Sequence, residues 1–334
     1  MDNSRYLVDP SSSGSTSGFY SNPNNQQLAT PPMEIGQAGP TLSISTTFDP
    51  ASTILPDPPD LVFKSLDGVL FYVHAAHLLS LSSNRFGNLI PKRKPRSPSS
   101  KPPPATPVPL SSPTLNVLLH ALYGLPSASY NPTIGTLVAA VDALPSYGCL
   151  PQTHVAPATP LFSLLLARAP LAPLAVYALA AAHDLPALAA PVSAYLLSFP
   201  LLARASSAQA EGKETLTDAL AERVGALYLK RLFALHTGRV RALREMLVRP
   251  PETHAESWRC GFAAQKKVSR AWGLAAAYVA WDARPDYSVC AIENALGPLA
   301  DHVECEGCKK AIRSRVREIV VQWSMVKPSI SIDR

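Results

Sequence analysis

The sequence predicts an α+β protein, with a mixed α/β domain in its first half and an all-helical region in its second half. Near residue 60, two runs of β-forming residues flank an Asp-Gly pair, which is typical of a β-hairpin. From residue 211 onward, apolar residues recur at intervals of three and four, and 15 of the 24 acidic residues are found there. The apolar spacing and the concentration of acidic residues after residue 211 are both typical of helices with one buried and one solvated side.

Composition divides the chain into four segments. Residues 1–50 are rich in Ser, Asn, Gln, Pro and Gly, so we expect disorder there, with one short strand near Leu42–Phe48. Residues 51–155 form the mixed domain, which is interrupted at 91–113 by an insertion rich in prolines and basic residues. Residues 156–210 predict short Ala- and Leu-rich helices separated by prolines, and residues 211–334 predict longer helices.

Charge and hydropathy indicate an intracellular protein, cytoplasmic or nuclear or both. A net charge of +6 over 334 residues is mild. The longest uncharged apolar stretch, Leu185–Ala203, contains three prolines, so we expect no membrane span. Met1–Val8 has no apolar core, which predicts no signal peptide, and the five cysteines are not spaced as a disulfide framework. The basic proline tract is either a nuclear-import signal or a solvated loop.

The predicted hairpin leads directly into a helix. Asp60–Phe63 and Val69–Val73 are the two strands, and Asp67-Gly68 is the turn between them. A helix then follows His74, and its apolar residues include Leu78, Leu79, Leu81 and Phe86.

The order of these residues resembles that of a BTB/POZ domain. The residues that carry the resemblance are Asp60, Asp67, Gly68, Phe71, His74 and Phe86. Leu115–Gly124 and Ile134–Tyr147 resemble the later helices of the family, and the match is closest to the proline-rich BTB proteins of higher fungi (the basidiomycete type). The chain departs from the family at the 91–113 insertion, where a further strand is common, and at Ala75, where Lys or Arg is common.

This resemblance implies a protein-interaction adaptor. Such a domain would self-associate, giving a homodimer, or would recruit a protein partner such as a ubiquitin-ligase scaffold or a transcriptional complex. We expect no enzyme activity, because the sequence has no Gly-x-Gly-x-x-Gly, His-Glu-x-x-His or Gly-x-Ser-x-Gly motif. His74 is expected to be a hydrogen-bonded structural residue, and Tyr123 a core residue.

A Cys-x-x-Cys motif lies in the helical region. Cys305 and Cys308 can bind one ion together because Gly307 lets the backbone fold around it, which is half of a tetrahedral zinc site. The candidates for the other half are Cys260, Cys290, His254 and His302. Cys260 is favoured because it lies at a turn, and the predicted structural zinc site is therefore Cys260, Cys305 and Cys308, with His302 as the nearest histidine.

Two other interpretations of the motif stay open. Cys305 and Cys308 have the spacing of a thiol–disulfide redox pair, and a thiol at a helix N-terminus is activated by the helix dipole. The cysteines could also be small residues of a helix cap without further function. A zinc-stabilised DNA-associated regulator is therefore an alternative to the adaptor, and a thiol oxidoreductase is a weaker one.

Three long helices are expected in the last third of the chain. The first begins at Thr215–Asp218 and ends at Pro250, with Leu227 and Leu243 among its buried residues. The second covers Gln265–Asp282, with Trp272 and Trp281 as core candidates. The last covers Glu306–Val326, with a buried stripe that includes Ile312, Ile319 and Trp323.

Nucleic acid is not expected as a partner. The last helix has a basic side, but Glu304, Glu306 and Glu318 share that surface, and no aromatic residues lie between the basic ones. This side, and the similar group Arg239, Arg241, Arg244 and Arg249, are interpreted as solvated helix faces.

Overall fold

A small mixed β-sheet opens the first half of the protein. The computed structural model describes residues 43–91, 104–201 and 216–332. Its strands are β1 (Leu61–Lys64), β2 (Leu70–Val73) and β3 (Ala105–Pro107). β1 pairs antiparallel with β2 and parallel with β3, in the order β2-β1-β3. The predicted α+β class and the hairpin are confirmed.

Two boundaries predicted for this domain need correction. The 91–113 insertion was expected to be a loop, but β3 lies within it; Pro107 is tolerated there because β3 is an edge strand. Residues 92–103 of the insertion lie outside the described part. Similarly, most of the 1–50 segment lies outside it, but Ile44 makes a parallel bridge to Leu70 and Phe48 is buried. The packed domain therefore begins before residue 51.

Helices make up most of the rest of the described chain. In the first half they are α1 (Ala75–Leu81), α2 (Ser112–Leu122), α3 (Ile134–Ala143), α4 (Pro151–His154), α5 (Pro160–Arg168), α6 (Pro173–Ala182) and α7 (Pro186–Ser193). In the second half they are α8 (Asp218–Val248), α9 (Phe262–Trp281), α10 (Val289–Leu296) and α11 (Glu306–Met325). Four of the short helices begin with proline, a residue that suits the first helical turn because its missing N–H needs no partner there.

The polar residues of the hairpin motif fix the start of two helices. Gly68 has a φ of 86°, a left-handed conformation that suits glycine. The Asp67 carboxylate accepts a hydrogen bond of 2.8 Å from the backbone N–H of Ser112, at the start of α2. The Asp60 carboxylate accepts one of 2.7 Å from the N–H of Ala75, at the start of α1. Both aspartates thus satisfy helix N–H groups that have no partner within the helix.

The two phenylalanines of the motif are core residues. Phe71 and Phe86 are both buried, and the Phe86 ring stacks on Phe63 with ring centroids 5.2 Å apart. The Phe86 ring also stacks on Tyr147, and these two ring centroids are 4.4 Å apart. These contacts join the sheet to the segment that follows α3.

His74 links the sheet to α2 through hydrogen bonds, as expected for a structural residue. Its Nε2 lies 2.9 Å from the carbonyl oxygen of Asp57, which can only accept, so Nε2 carries the proton. The unprotonated Nδ1 then accepts from the Tyr123 hydroxyl at 3.1 Å, and the same hydroxyl accepts from the His74 backbone N–H at 2.8 Å. His74 and the Tyr123 hydroxyl thus satisfy each other within the packed domain.

Tyr123→Phe is expected to lower the free energy of unfolding by about 1–3 kcal/mol, because it leaves a buried backbone N–H and the Nδ1 of His74 without a partner. Urea unfolding followed by circular dichroism measures this loss. Tyr278→Phe is the control, since the Tyr278 side chain is largely exposed, and its effect should be close to zero. Equal stabilities for the two variants would contradict the role assigned to the Tyr123 hydroxyl.

One core is shared by β1, β2, helices α1–α3 and α5–α7, and the first part of α8. It contains residues of all these elements, such as Phe63, Leu118, Tyr177 and Leu232. Ile330 also belongs to it, and the Ile330 backbone N–H donates to the Ser193 hydroxyl across 137 positions of sequence. The short helices of 156–210 are therefore packed into the same core as the mixed domain.

Helix α8 is interrupted at Gly225. This residue has φ 73° and ψ 160°, values that no helix contains, and glycine adopts them without strain. The interruption rotates the following residues relative to the first turns, so Tyr228 and Leu232 are buried while Leu227 is exposed. The predicted burial of Leu227 was wrong, because the apolar periodicity was continued across Gly225.

A second core is formed by the later part of α8 together with α9, α10 and α11. Its central residues include Leu243, Trp272, Ile312 and Trp323, which confirms the stripe predicted on the last helix. Trp281, the other predicted core residue, is 89% exposed. It follows the buried Val279 by two positions, about 200° around the helix, and therefore points the other way.

Arg239 is buried in this region, so its interpretation as part of a solvated face was wrong. Its Nε donates to the carbonyl oxygen of Pro285 at 2.7 Å, and its Nη1 donates to that of Val326 at 2.6 Å. The guanidinium also lies over the Trp323 ring, 4.3 Å from its centroid. One side chain thereby ties α8 to the segment between α9 and α10 and to the end of α11.

Arg239→Met is expected to lower the free energy of unfolding by about 3 kcal/mol, since the apolar chain fills the space but leaves buried carbonyl groups unpaired. Denaturant unfolding of Arg241→Met provides the matched control on the same helix. Arg241 is exposed and, among the described residues, forms an ion pair with Glu245, so its loss should change stability far less than the loss of Arg239. A smaller effect at Arg239 than at Arg241 would contradict these contacts.

No helix among the described residues combines the length and the apolar character that a membrane span requires.

Candidate metal centre

Four side chains that can bind a metal meet between the end of α8 and the start of α11. His254 and Cys260 lie in the segment between α8 and α9, while Cys305 precedes α11 and Cys308 lies in its first turn. Their ligand atoms all lie within 4.8 Å of one another. Two segments about 50 residues apart in sequence therefore supply two ligands each.

Three of the six distances between the ligand atoms are close to the edges of a tetrahedron around zinc. The Nε2 of His254 lies 3.3 Å from both the Cys305 and the Cys308 sulfur, and the Cys260 and Cys308 sulfurs are 3.6 Å apart. Bonds of about 2.3 Å to sulfur and about 2.0 Å to nitrogen give tetrahedral edges of about 3.8 Å and about 3.5 Å. A disulfide needs about 2.05 Å, so the sulfurs are spaced for an ion and not for a bond.

The tautomer of His254 suits a metal ligand. Its Nδ1 lies 2.7 Å from the carbonyl oxygen of Ala255. A carbonyl can only accept, so Nδ1 carries the proton and Nε2 presents its lone pair to the sulfurs of Cys305 and Cys308. A hydrogen bond from the outer ring nitrogen to a backbone carbonyl is the usual support of a metal-binding histidine.

Gln265 holds the backbone of His254 in place. The His254 N–H donates to Gln265 Oε1 at 3.2 Å, and Gln265 Nε2 donates to the His254 carbonyl at 3.0 Å. Gln265 is buried in the first turn of α9 and is thus fixed by helix packing. This reciprocal pair of bonds positions the imidazole from outside the ligand group, the arrangement that orients metal ligands in proteins.

Two local backbone features let the four ligands converge. A tight turn brings Cys260 toward the group: the Ser257 N–H donates to the Cys260 carbonyl, and the Cys260 N–H donates back to Ser257. On the opposite side, the His254 ring packs directly on Gly307. A Cβ atom at position 307 would lie 2.8 Å from the ring carbon Cδ2, which is closer than such atoms approach each other.

The thiols of the group differ in acidity. The backbone N–H groups of Cys308 and then Gly307 point at the Cys305 sulfur from the start of α11 and lower the pKa of its thiol to about 7. Burial raises the pKa of Cys260 and raises that of Cys308 to about 12. The group by itself therefore favours one thiolate, at Cys305, and a divalent cation is what would stabilise the other two.

The structure brings together three of the four predicted ligands. Cys260, Cys305 and Cys308 converge as predicted, whereas the His302 side chain is exposed and lies outside the group. His254, which sequence reasoning had considered among the candidates, occupies the fourth position. Cys290, the remaining candidate, is exposed and also lies outside the group.

The four side chains could hold a metal ion such as zinc. One nitrogen and three sulfurs would fill the four positions of a tetrahedron, and no position would then be left for a substrate or a water molecule. Such a site would fasten the segment after α8 to the start of α11, over the edge of the second core. Comparison with known proteins gives no independent guide: no family model matches the chain, and neither curated proteins nor solved structures match it.

Proposed function

We propose that this protein is a non-enzymatic interaction adaptor, in which a BTB/POZ-like domain carries a helical region held together by a structural zinc ion. The single observation that carries the proposal is the closed set of four ligands, His254, Cys260, Cys305 and Cys308. A site that leaves no free coordination position serves folding and not catalysis. Zinc fits this set best, because it prefers sulfur and imidazole ligands in a tetrahedron.

The first half of the chain supports the adaptor role. A hairpin, a helix, a third strand parallel to β1 and then further helices follow one another, and we take this order as support for the resemblance. Three residues of the motif stabilise this arrangement. Asp60 and Asp67 accept hydrogen bonds from helix N–H groups, and Gly68 forms the turn. The domain would present its helices to a second copy or to a protein partner, such as a ubiquitin-ligase scaffold or a transcriptional complex.

Size-exclusion chromatography with light scattering tests the adaptor proposal on the full chain. We expect either a mass above the 35.7 kDa of one chain that increases with concentration, or a single chain that retains a purified cullin-type scaffold or transcriptional corepressor in a pull-down. A monomer at all concentrations that binds neither partner would overturn the proposal.

A second candidate function, thiol redox chemistry, is favoured by one observation, the lowered pKa of Cys305. Reactive thiols have this property, and the Cys-x-x-Cys spacing provides a resolving partner. Alkylation of the purified protein by iodoacetamide distinguishes the two functions. A Cys305 that reacts in seconds in the zinc-containing protein would favour redox chemistry, and one that is protected until a chelator is added would favour the structural site.

A further inference from the structure

An exposed surface of aromatic and basic residues lies beside the candidate metal centre. It consists of Trp258, Arg259, Phe262, Lys266 and Arg270, and we refer to it as the aromatic–basic surface. Trp258 is 87% exposed and Phe262 is 67% exposed, which is unusual for side chains of this size. Phe262, Lys266 and Arg270 follow each other at intervals of four in α9 and therefore share one side of that helix.

Each aromatic ring of this surface has a cation on it. The Arg259 guanidinium lies 4.3 Å from the centre of the Trp258 ring, and the Lys266 ammonium lies 5.7 Å from the centre of the Phe262 ring. Such contacts hold an exposed ring in a fixed orientation. Because each cation covers only one face, a flat ligand can stack on the other.

The basic residues of this surface form no ion pair within the described part of the chain, although the Glu256 carboxylate lies beside Gly261. Among the described residues, no carboxylate forms an ion pair with Arg259, Lys266 or Arg270, and the sequence has no acid between Glu256 and Asp282. Three basic residues of α11 differ in this respect. Its ion pairs are Lys309 with Glu306 at 2.6 Å, Arg313 with Asp301 at 3.8 Å and Arg315 with Glu318 at 2.5 Å.

We propose that the aromatic–basic surface binds single-stranded nucleic acid. Exposed rings on which bases stack, placed among cations that contact phosphates, are the two parts of a site for single strands. In a duplex the bases already stack on one another and would not reach Trp258 or Phe262. A lipid surface fits less well, because the cations lie on the ring faces that would have to enter the apolar layer.

The metal centre would position this surface. Trp258 and Arg259 are the two central residues of the turn that Ser257 and Cys260 close, and Cys260 is one of the four ligands. The proposal departs from the expectation that nucleic acid is not a partner. That expectation concerned α11, whose basic residues have no aromatic neighbours, whereas the rings lie on the turn before α9 and at its start. The proposal does not depend on the adaptor role.

Fluorescence anisotropy with labelled eight-nucleotide oligothymidylate and oligouridylate tests the proposal on the full, zinc-containing chain. We expect binding to both strands at 50 mM salt, weaker on the order of tenfold at 200 mM, because displaced counterions oppose each phosphate contact. A duplex of the same length should bind at least several-fold more weakly. A preference between the two strands would show whether DNA or RNA is the natural source.

Variants separate stacking from charge. Trp258→Ala and Phe262→Ala should each weaken binding about fivefold or more, as expected for the loss of one stacked base. Lys266→Gln should reduce the salt dependence. Trp281→Ala is the matched control: this tryptophan is equally exposed at the other end of α9, about 28 Å along the helix axis, and its neighbours Asp282 and Arg284 form an ion pair.

Four results would overturn the proposal: no binding at 50 mM salt, equal affinity for single strand and duplex, unchanged affinity of both the Trp258 and Phe262 variants, or binding to anionic vesicles but not to either oligonucleotide. Circular dichroism and zinc content of each variant confirm that it is folded, which is expected because both rings are exposed.

Discussion

Removal of zinc by a strong chelator is expected to unfold the second core of the protein while the first core stays folded at moderate temperature. Without the ion, three thiols and an imidazole face one another, and no cation stabilises the thiolate forms of the cysteines. The free energy of zinc binding, about 10 kcal/mol or more in small zinc domains, is then lost from the stability of this region. The packing of Trp272 and Trp323 depends on that region.

The measurement combines metal analysis with tryptophan fluorescence. Purified protein should contain one zinc ion per chain, and chelation should shift the emission to longer wavelength and lower the thermal midpoint by about 10 °C or more. Cys308→Ser should have the same effect without chelator. His302→Ala and Cys290→Ser are controls that should keep the ion. Two results would contradict the assigned ligands. One is a zinc-free protein that is as stable as the zinc-bound protein, and the other is a His302→Ala variant that loses zinc.

Gly307→Ala is expected to abolish the metal site with the smallest chemical change available. The added methyl group would lie 2.8 Å from the His254 ring, so the imidazole must shift from the position in which Nε2 faces the sulfurs. Zinc–ligand bond lengths vary by only about 0.2 Å, so an imidazole that shifts to relieve this contact no longer binds the ion properly. We expect at least a hundredfold loss of zinc affinity, measured by competition with a chromogenic chelator.

Gly273→Ala provides the control for this substitution. Gly273 also lies in a long helix, α9, but a Cβ atom there meets nothing within 4 Å. Its replacement by alanine should leave zinc affinity unchanged and raise stability by about 0.5–1 kcal/mol, because alanine is the better helix former. Equal zinc affinities for the two variants would show that His254 can bind the ion from another position.

Local patterns were sufficient for the elements that are long or that contain a specific turn. The Asp67-Gly68 hairpin and the stripe on α11 follow from residue types and spacing alone. β3 could not be predicted in the same way. Its three residues, Ala105–Pro107, have no apolar alternation, and they form a strand only because the edge of β1 offers them partners.

The candidate site was predictable to the extent that its ligands share a motif. The Cys305–Cys308 spacing indicated half of a zinc site, and the position of Cys260 at a turn indicated a third ligand. Proximity in sequence did not identify the histidine ligand. His302 lies closer to the motif than His254 does, but its side chain is exposed. His254 reaches the group because Gln265 holds its backbone and because Gly307, in the other segment, leaves room for its ring; neither contact follows from the Cys-x-x-Cys motif.

The contact between Ile330 and Ser193 has a consequence for the timing of folding. Ile330 fills a position in the first core, yet it is synthesised 137 residues after its partner. During translation the short helices around α7 therefore emerge long before the residue that completes their packing. Until residue 330 has left the ribosome, the nascent chain would expose an incomplete apolar surface, which is the situation in which chaperones bind.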